Sequence, residues 1–182
     1  MQDDDTARLR ASRDDFRWEG VELRPYKDDD AAPFKAISRQ ELFAHPALGC
    51  QLRYFEMAAG GHSTLERHEH VHAVMILRGR GQCLLGDRVR AVKPFDLITI
   101  PAWTWHQFRA TEGETLGFLC MVNAERDRPR LPDARDLAAL AAVPEVAGFL
   151  GDHGAGGDGS LPAPPSPTAL RAGDFSREGP ER

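Results

Sequence analysis

Between residues 16 and 111 the apolar positions fall in short runs, broken repeatedly by Gly, Pro or Asp. That texture predicts an all-β domain. Strands are expected at 49–57, 66–77, 81–85, 97–100, 106–110 and 115–122. Turn signals fill the gaps: Ala59-Gly60-Gly61, Arg78-Gly79-Arg80, Gly86-Asp87, Lys93-Pro94 and Glu112-Gly113-Glu114. Strands this short and this evenly spaced favour a sandwich or barrel over alternating βα units.

The flanks read differently. Residues 1–15 are charged and lack apolar periodicity, which predicts a flexible arm. The barrel is expected over 16–125, followed by a linker and short helix over 126–150. There Asp133 can cap a helix running through Val143, with Leu137, Leu140 and Ala141 on one face, and a second helical turn follows Pro144. Twelve of the 32 residues from Gly151 to Arg182 are Gly or Pro, so that segment is expected to be a disordered tail.

Four of the seven histidines lie between His62 and His72. On an extended strand alternate side chains share a face, so Glu66, His68, His70 and His72 are expected to point one way, into a face that continues as Val74 and Ile76. Desolvating four such groups beside an apolar core is costly unless something binds them. A divalent transition metal ion is the economical explanation, and imidazole with carboxylate suits Fe, Mn, Ni, Cu or Zn. Downstream, Pro101 leads through a turn to a strand opening with His106, a position that an antiparallel barrel can place across the interior from the first cluster.

The spacing of these residues resembles the cupins, small double-sheet β-barrels. Their first motif, G-x5-H-x-H-x3-E-x6-G, is matched in register by Gly60, Glu66, His68, His72 and Gly79. Their second, G-x5-P-x-G-x2-H-x3-N, is matched by Phe95, Pro101, Trp103, His106 and Ala110. The resemblance implies a jelly-roll barrel with Glu66, His68, His72 and His106 as metal ligands. A histidine at the His72 position is also the pattern of small four-histidine cupins. The departures from the motifs permute the three histidines and one carboxylate without removing a ligand. Phe95 and Trp103 stand at glycine positions where positive φ is usual, so a different loop path is expected there. His70 is left with three readings: it replaces Glu66 as the fourth ligand, it serves as a catalytic acid–base in the cavity, or it is a bystander that fills the barrel mouth.

Phe108 shares a face with His106 and should line a substrate pocket, with Trp103 and Trp105 flanking its entrance. Met75, Leu77 and Leu84 are assigned to packing, and Gln107 points outward by parity. His45, His62 and His153 are expected to play no part.

Composition narrows the function. The chain has 182 residues, 41% of them hydrophobic, and a net charge of −5, which argues against a nucleic-acid binder with a broadly basic surface. No apolar run approaches the roughly 20 residues of a membrane helix. The acidic N-terminus offers no secretory signal, and Cys50, Cys83 and Cys120 are too scattered for a disulfide framework, so a cytoplasmic protein with reduced thiols is expected. Neither a phosphate-binding glycine loop nor a nucleophile elbow nor HExxH occurs. The resemblance therefore implies a metal-dependent dioxygenase-type oxidoreductase acting on a small organic substrate. The alternatives are a redox-neutral isomerase or lyase and a non-catalytic binding module. The apolar groups Phe16, Trp18, Val21, Leu23 and Tyr26 exceed what a small barrel can readily cover, which predicts a homodimer.

Overall fold

The structure is a computed structural model that describes residues 7–26 and 33–151. Its elements in chain order are β1 (Ser12–Arg13), β2 (Arg17–Trp18), β3 (Arg24–Pro25), β4 (Lys35–His45), a 3-10 turn (Pro46–Leu48), β5 (Cys50–His62), β6 (His72–Arg78), β7 (Gly81–Leu85), β8 (Arg88–Val92), β9 (Leu97–Ile100), β10 (His106–Ala110), β11 (Leu116–Asn123), α1 (Ala134–Ala141) and α2 (Pro144–Gly151). β1 and β2 pair with each other, and the other nine strands form one curled antiparallel sheet in the order β8-β7-β10-β5-β11-β6-β9, with β4 on the free side of β5 and β3 beyond it. The all-β jelly-roll expectation holds, with two short C-terminal helices.

The register aligns inward-facing residues in rows across the sheet. One row runs Arg39, Phe55, Phe118 and Ile76 on β4, β5, β11 and β6. The next runs Arg53, Cys120, Val74 and Ile98 on β5, β11, β6 and β9. A third joins Val122, His72 and Ile100. Apolar members of these rows, with Met57, Cys83, Phe108 and Leu116, fill the barrel interior. Val74 and Ile76 are each at most 1% exposed. The polar members Arg39, Arg53 and His72 sit toward one end, which is where the cavity opens.

A second apolar cluster lies outside the barrel. Leu65, Leu84, Val89 and Trp105 meet Leu140, Val146 and Phe149 of the two helices. Asp133 caps α1 as expected, accepting from the Arg135 and Asp136 amides, while the Asp136 carboxylate answers the Asp133 amide. Only Leu140 of the expected face is buried; Leu137 is exposed.

Several sequence expectations change. The strand expected at 66–77 begins only at His72. β5 runs on through Ala59-Gly60-Gly61, where a turn was expected, bending at Gly60 with φ +67°. β8 was not foreseen, while β3 and β4 supply the edge strands expected of the N-terminal zone without assigned ranges. Part of the N-terminal arm is structured, since Ser12–Arg13 pairs with Arg17–Trp18. Residues 1–6 of that arm, and the tail from 152 onward with His153, lie outside the described residues. Phe16 stacks on Tyr54 at 5.6 Å and Trp18 meets the same ring edge-on at 5.1 Å, so much of the surplus N-terminal apolar surface is covered within the chain. No disulfide joins Cys50, Cys83 and Cys120. Among the described residues no helix is long and apolar enough to cross a membrane.

The two motif loops keep the backbone that glycine would give. At Gly79, φ is +70° and an added Cβ would fall 1.7 Å from the Thr115 carbonyl oxygen, so only glycine fits. Phe95 and Trp103 adopt φ +72° and +59°. The loop path is thus retained rather than altered, at the expense of left-handed backbone in two aromatic residues. Around Phe95 the reason is a turn in which the Asp96 amide donates to the Lys93 carbonyl at 3.1 Å, with Pro94 and Phe95 in the centre. Pro followed by positive φ is the type II arrangement.

Candidate metal centre

His72 opens β6, His106 opens β10, and His68 belongs to the segment just before β6. That segment is not a pleated strand, so side-chain alternation does not explain its geometry. Tethers do. Glu66 and His106 exchange both backbone hydrogen bonds, at 3.2 and 3.0 Å, and Arg67 does the same with Arg130 at 3.1 and 2.8 Å. The Trp103 amide donates to the His68 carbonyl at 2.7 Å. Asp127 accepts from the amides of Glu69 and His70 at 2.8 and 3.1 Å.

These tethers gather the imidazoles. The His68 ring lies 4.5 Å from that of His72 and 4.9 Å from that of His106, and His72 lies 5.5 Å from His106. One nitrogen of each of these three rings can be chosen so that all lie within 4.8 Å of one another. The Nδ1 atoms are occupied: His68 at 2.8 Å from the His70 carbonyl, His106 at 2.9 Å from the Thr104 carbonyl, and His72 at 3.5 Å from Cys120 Sγ. The Nε2 atoms of His68 and His72 are buried with no hydrogen-bond partner. Buried polar atoms without partners are costly, and three imidazoles oriented through Nδ1 are a donor set that suits a divalent transition metal. The residues present therefore fit the ion that their chemistry implies. Burial, then His106 and His70, push the His68 pKa down from 6.5 to about 4. Burial, then His106, His68 and His70, push that of His72 down to about 2. Both rings are held in the neutral form that a metal requires.

Glu66 is buried and lines the same cavity, yet its carboxylate does not join the close group of three histidines. His70 stacks on His68 at 3.6 Å between ring centroids and places Nδ1 2.5 Å from Asp127 Oδ1. Burial alone would raise the Asp127 carboxyl pKa; the amides of Glu69 and His70 and the His70 ring outweigh it and hold the group well below the carboxylate range. His68, His70 and Asp127 form a second close group.

The cavity measures about 200 Å³. Phe108 lines it, as expected, together with Phe55 and Phe118. Trp103 and Trp105 do not. Trp105 precedes His106 by one residue and so takes the opposite face, where it packs under the helices with the Arg67 guanidinium 4.4 Å from its ring. Trp103 is 53% exposed and contributes through its amide. Gln107 points outward by parity but is buried there, donating to the Ser63 carbonyl at 2.7 Å. Met75, assigned to packing, is 37% exposed. His45 caps the 3-10 turn, and His62 ends β5 away from the centre.

Among the cavity residues that sequence reasoning missed are Tyr26, Arg39, Arg53, Arg126 and Asp127. Arg53 carried a signal, since it alternates with Phe55 and Met57 on the inward face of β5. Asp127 carried none, because it lies beyond the last strand in a segment without periodicity. A larger open groove of about 1100 Å³ runs past His62, Arg80, Lys93 and Arg109 on another part of the surface and holds none of the clustered histidines.

A curated relative, 1-methylthio-D-xylulose 5-phosphate methylsulfurylase of Rhodospirillum rubrum, is 57% identical over 142 residues, 78% of this chain and 91% of the relative. The Cupin domain family matches residues 53–122. The chain is a cupin. A crystal structure of a cupin 2 conserved barrel domain protein from Rhodopseudomonas palustris is 58% identical and superposes with a TM-score of 0.74, covering 78% of this cupin and 98% of that chain. A 5-nitrosalicylic acid 1,2-dioxygenase from a Bradyrhizobium species is 40% identical over 63 residues, 35% of this cupin and 28% of the dioxygenase.

Proposed function

We propose that this cupin is a metal-dependent enzyme acting on a methylthio-substituted ketose phosphate, the substrate class in the name of its Rhodospirillum relative. The observation that carries the reading is 57% identity spanning 91% of that relative. In this reading His68, His72 and His106 hold the ion with Glu66 as fourth ligand. A divalent ion bound there supplies Lewis-acid polarisation of a substrate carbonyl. His70 moves the proton. Asp127 holds its Nδ1–H, which leaves Nε2 as the basic atom, much as a carboxylate orients a catalytic imidazole. The apolar wall of Phe55, Phe108 and Phe118 excludes water from the reacting carbon and suits a thioether.

The test is incubation of the metal-loaded protein with 1-methylthio-D-xylulose 5-phosphate and a thiol acceptor, followed by ³¹P NMR. Disappearance of the substrate resonance supports the reading. Its persistence with every first-row divalent metal overturns it. A dioxygenase is the second reading, supported by the local 40% match to the nitrosalicylate enzyme. It is separated by oxygen consumption with hydroxylated aromatic acids, which the first reading does not expect.

A further inference from the structure

The polar wall of the cavity carries more positive charge than the metal centre explains. Arg39 on β4, Arg53 on β5 and Arg126 just past β11 all line it. Arg53 is 9% exposed, its Nε is buried without a partner, and among the described residues its one polar contact is a long one from Nη2 to Cys120 Sγ at 3.7 Å. No carboxylate lies within ion-pair distance of Arg39 or Arg53 among the described residues. The cross-strand neighbour Glu41 points to solvent instead. Of the two carboxylates lining the cavity, Asp127 is held by His70, and neither it nor Glu66 forms an ion pair with these arginines. A buried guanidinium without an anion is expensive and persists when a ligand supplies the missing charge.

Arg126 is oriented toward the same place. Its Nη1 donates to Gln51 Oε1 at 2.7 Å and to the Asn123 carbonyl at 2.9 Å, which fixes one edge of the guanidinium and leaves the other. Burial, then the like charges of Arg53 and Arg39, lower its pKa, and the nearby Glu41 carboxylate offsets them only in part.

We infer that Arg39, Arg53 and Arg126 form a phosphomonoester subsite at the mouth of the cavity. A carboxylate is satisfied by one guanidinium bonded through two parallel contacts, whereas three guanidiniums can serve the three terminal oxygens of a phosphate dianion and more than offset its charge. The subsite anchors the phosphate end of a small substrate while the remainder reaches toward the histidines. The inference rests on the proposed substrate class for its biological ligand, but the subsite itself is argued from the arginines.

The test uses the full chain, metal-free and zinc-loaded, titrated calorimetrically with inorganic phosphate and, in parallel, with benzoate. Phosphate binding is expected in both forms and is expected to weaken about 10-fold or more in Arg39→Gln and in Arg126→Gln, the scale of one charged hydrogen bond. Zinc content should be unchanged in both variants. Arg53→Gln is read only alongside its melting curve; the two less buried arginines keep the test decisive if it fails to fold. Phosphate affinity unchanged in Arg39→Gln and Arg126→Gln overturns the inference. So does benzoate binding that depends on these arginines while phosphate does not bind. If phosphate binding falls in the variants but the methylthio ketose phosphate is not consumed, the activity fails and the subsite stands. If that substrate is consumed with an unchanged KM in the variants, the subsite fails and the activity stands.

Discussion

Replacing Phe95 is expected to reverse the usual order of glycine and alanine. Phe95 occupies φ +72° at the third position of its turn, where an L-residue costs about 1–2 kcal/mol. Glycine removes that strain but adds about 0.5–1 kcal/mol of backbone entropy to be lost on folding. The ring is 80% exposed, so its removal forfeits roughly a fifth of a full apolar side chain, about 0.3–0.6 kcal/mol. Phe95→Gly should therefore lie close to the parent in stability. Phe95→Ala loses the same contact and keeps the strain. Glycine should exceed alanine by about 0.5–1 kcal/mol, a difference of roughly 1–4 °C in Tm for a domain of this size. Urea unfolding of the metal-free full chain, followed by tryptophan fluorescence, measures both variants on one scale. Alanine equal to or more stable than glycine would refute the claim that left-handed strain is stored at this turn. Trp103→Gly serves as the contrast: that ring is only 53% exposed, and its loss should outweigh the relief of strain.

The fourth ligand is decided by metal titration of two variants. Glu66→Ala should weaken divalent-metal binding at least 10-fold, while His70→Ala keeps one ion per chain and loses turnover; exchanged phenotypes would make His70 the ligand. Acid should destabilise the metal-free protein. The pKa values of His68 and His72 fall from 6.5 to about 4 and about 2 on folding. The unfolded chain therefore binds more protons below 6.5, and stability rises with pH up to that point and is complete above it. Urea midpoints should be level above pH 7 and drop steadily from 6.5 to 4, less steeply in His72→Ala; a midpoint unchanged between pH 7 and 5 would contradict this. Light scattering at micromolar concentration is expected to give a homodimer, and a monomer would remove that expectation.

The barrel and the histidine cluster were legible because motif spacing survives changes in residue type. Gly60, Glu66, His68, His72, Gly79 and His106 keep their intervals, and Gly79 cannot be replaced without a clash against Thr115. The reason given for the shared face was less sound. Alternation along a strand brings His68 and His72 together on paper, but the chain there is irregular, and its course is set by pairing with His106 and Arg130 and by Asp127. Such tethers come from residues dozens of positions away and leave no local pattern. Parity placed Phe108 and Gln107 on opposite faces and applied equally to Trp105, whose aromatic character suggested a pocket entrance instead. The outer cluster that buries Trp105 depends on helices whose packing could not be anticipated from their own sequence.

The segment after β11 has a bearing on how this fold can be transplanted. The matched domain ends at residue 122, and a fragment cut there retains every clustered histidine. It would lack Asp127, which fastens the Glu69 and His70 amides, and Arg130, whose backbone pairs with Arg67. It would also lack Asp136, which takes the Arg67 guanidinium at 3.4 Å. Designers who graft the barrel, or the loop bearing His68, into another scaffold would carry the ligands without their frame. The portable unit is the barrel together with its trailing strap and helices, since the smallest piece that can close a sheet is not the smallest piece that can hold the imidazoles in place.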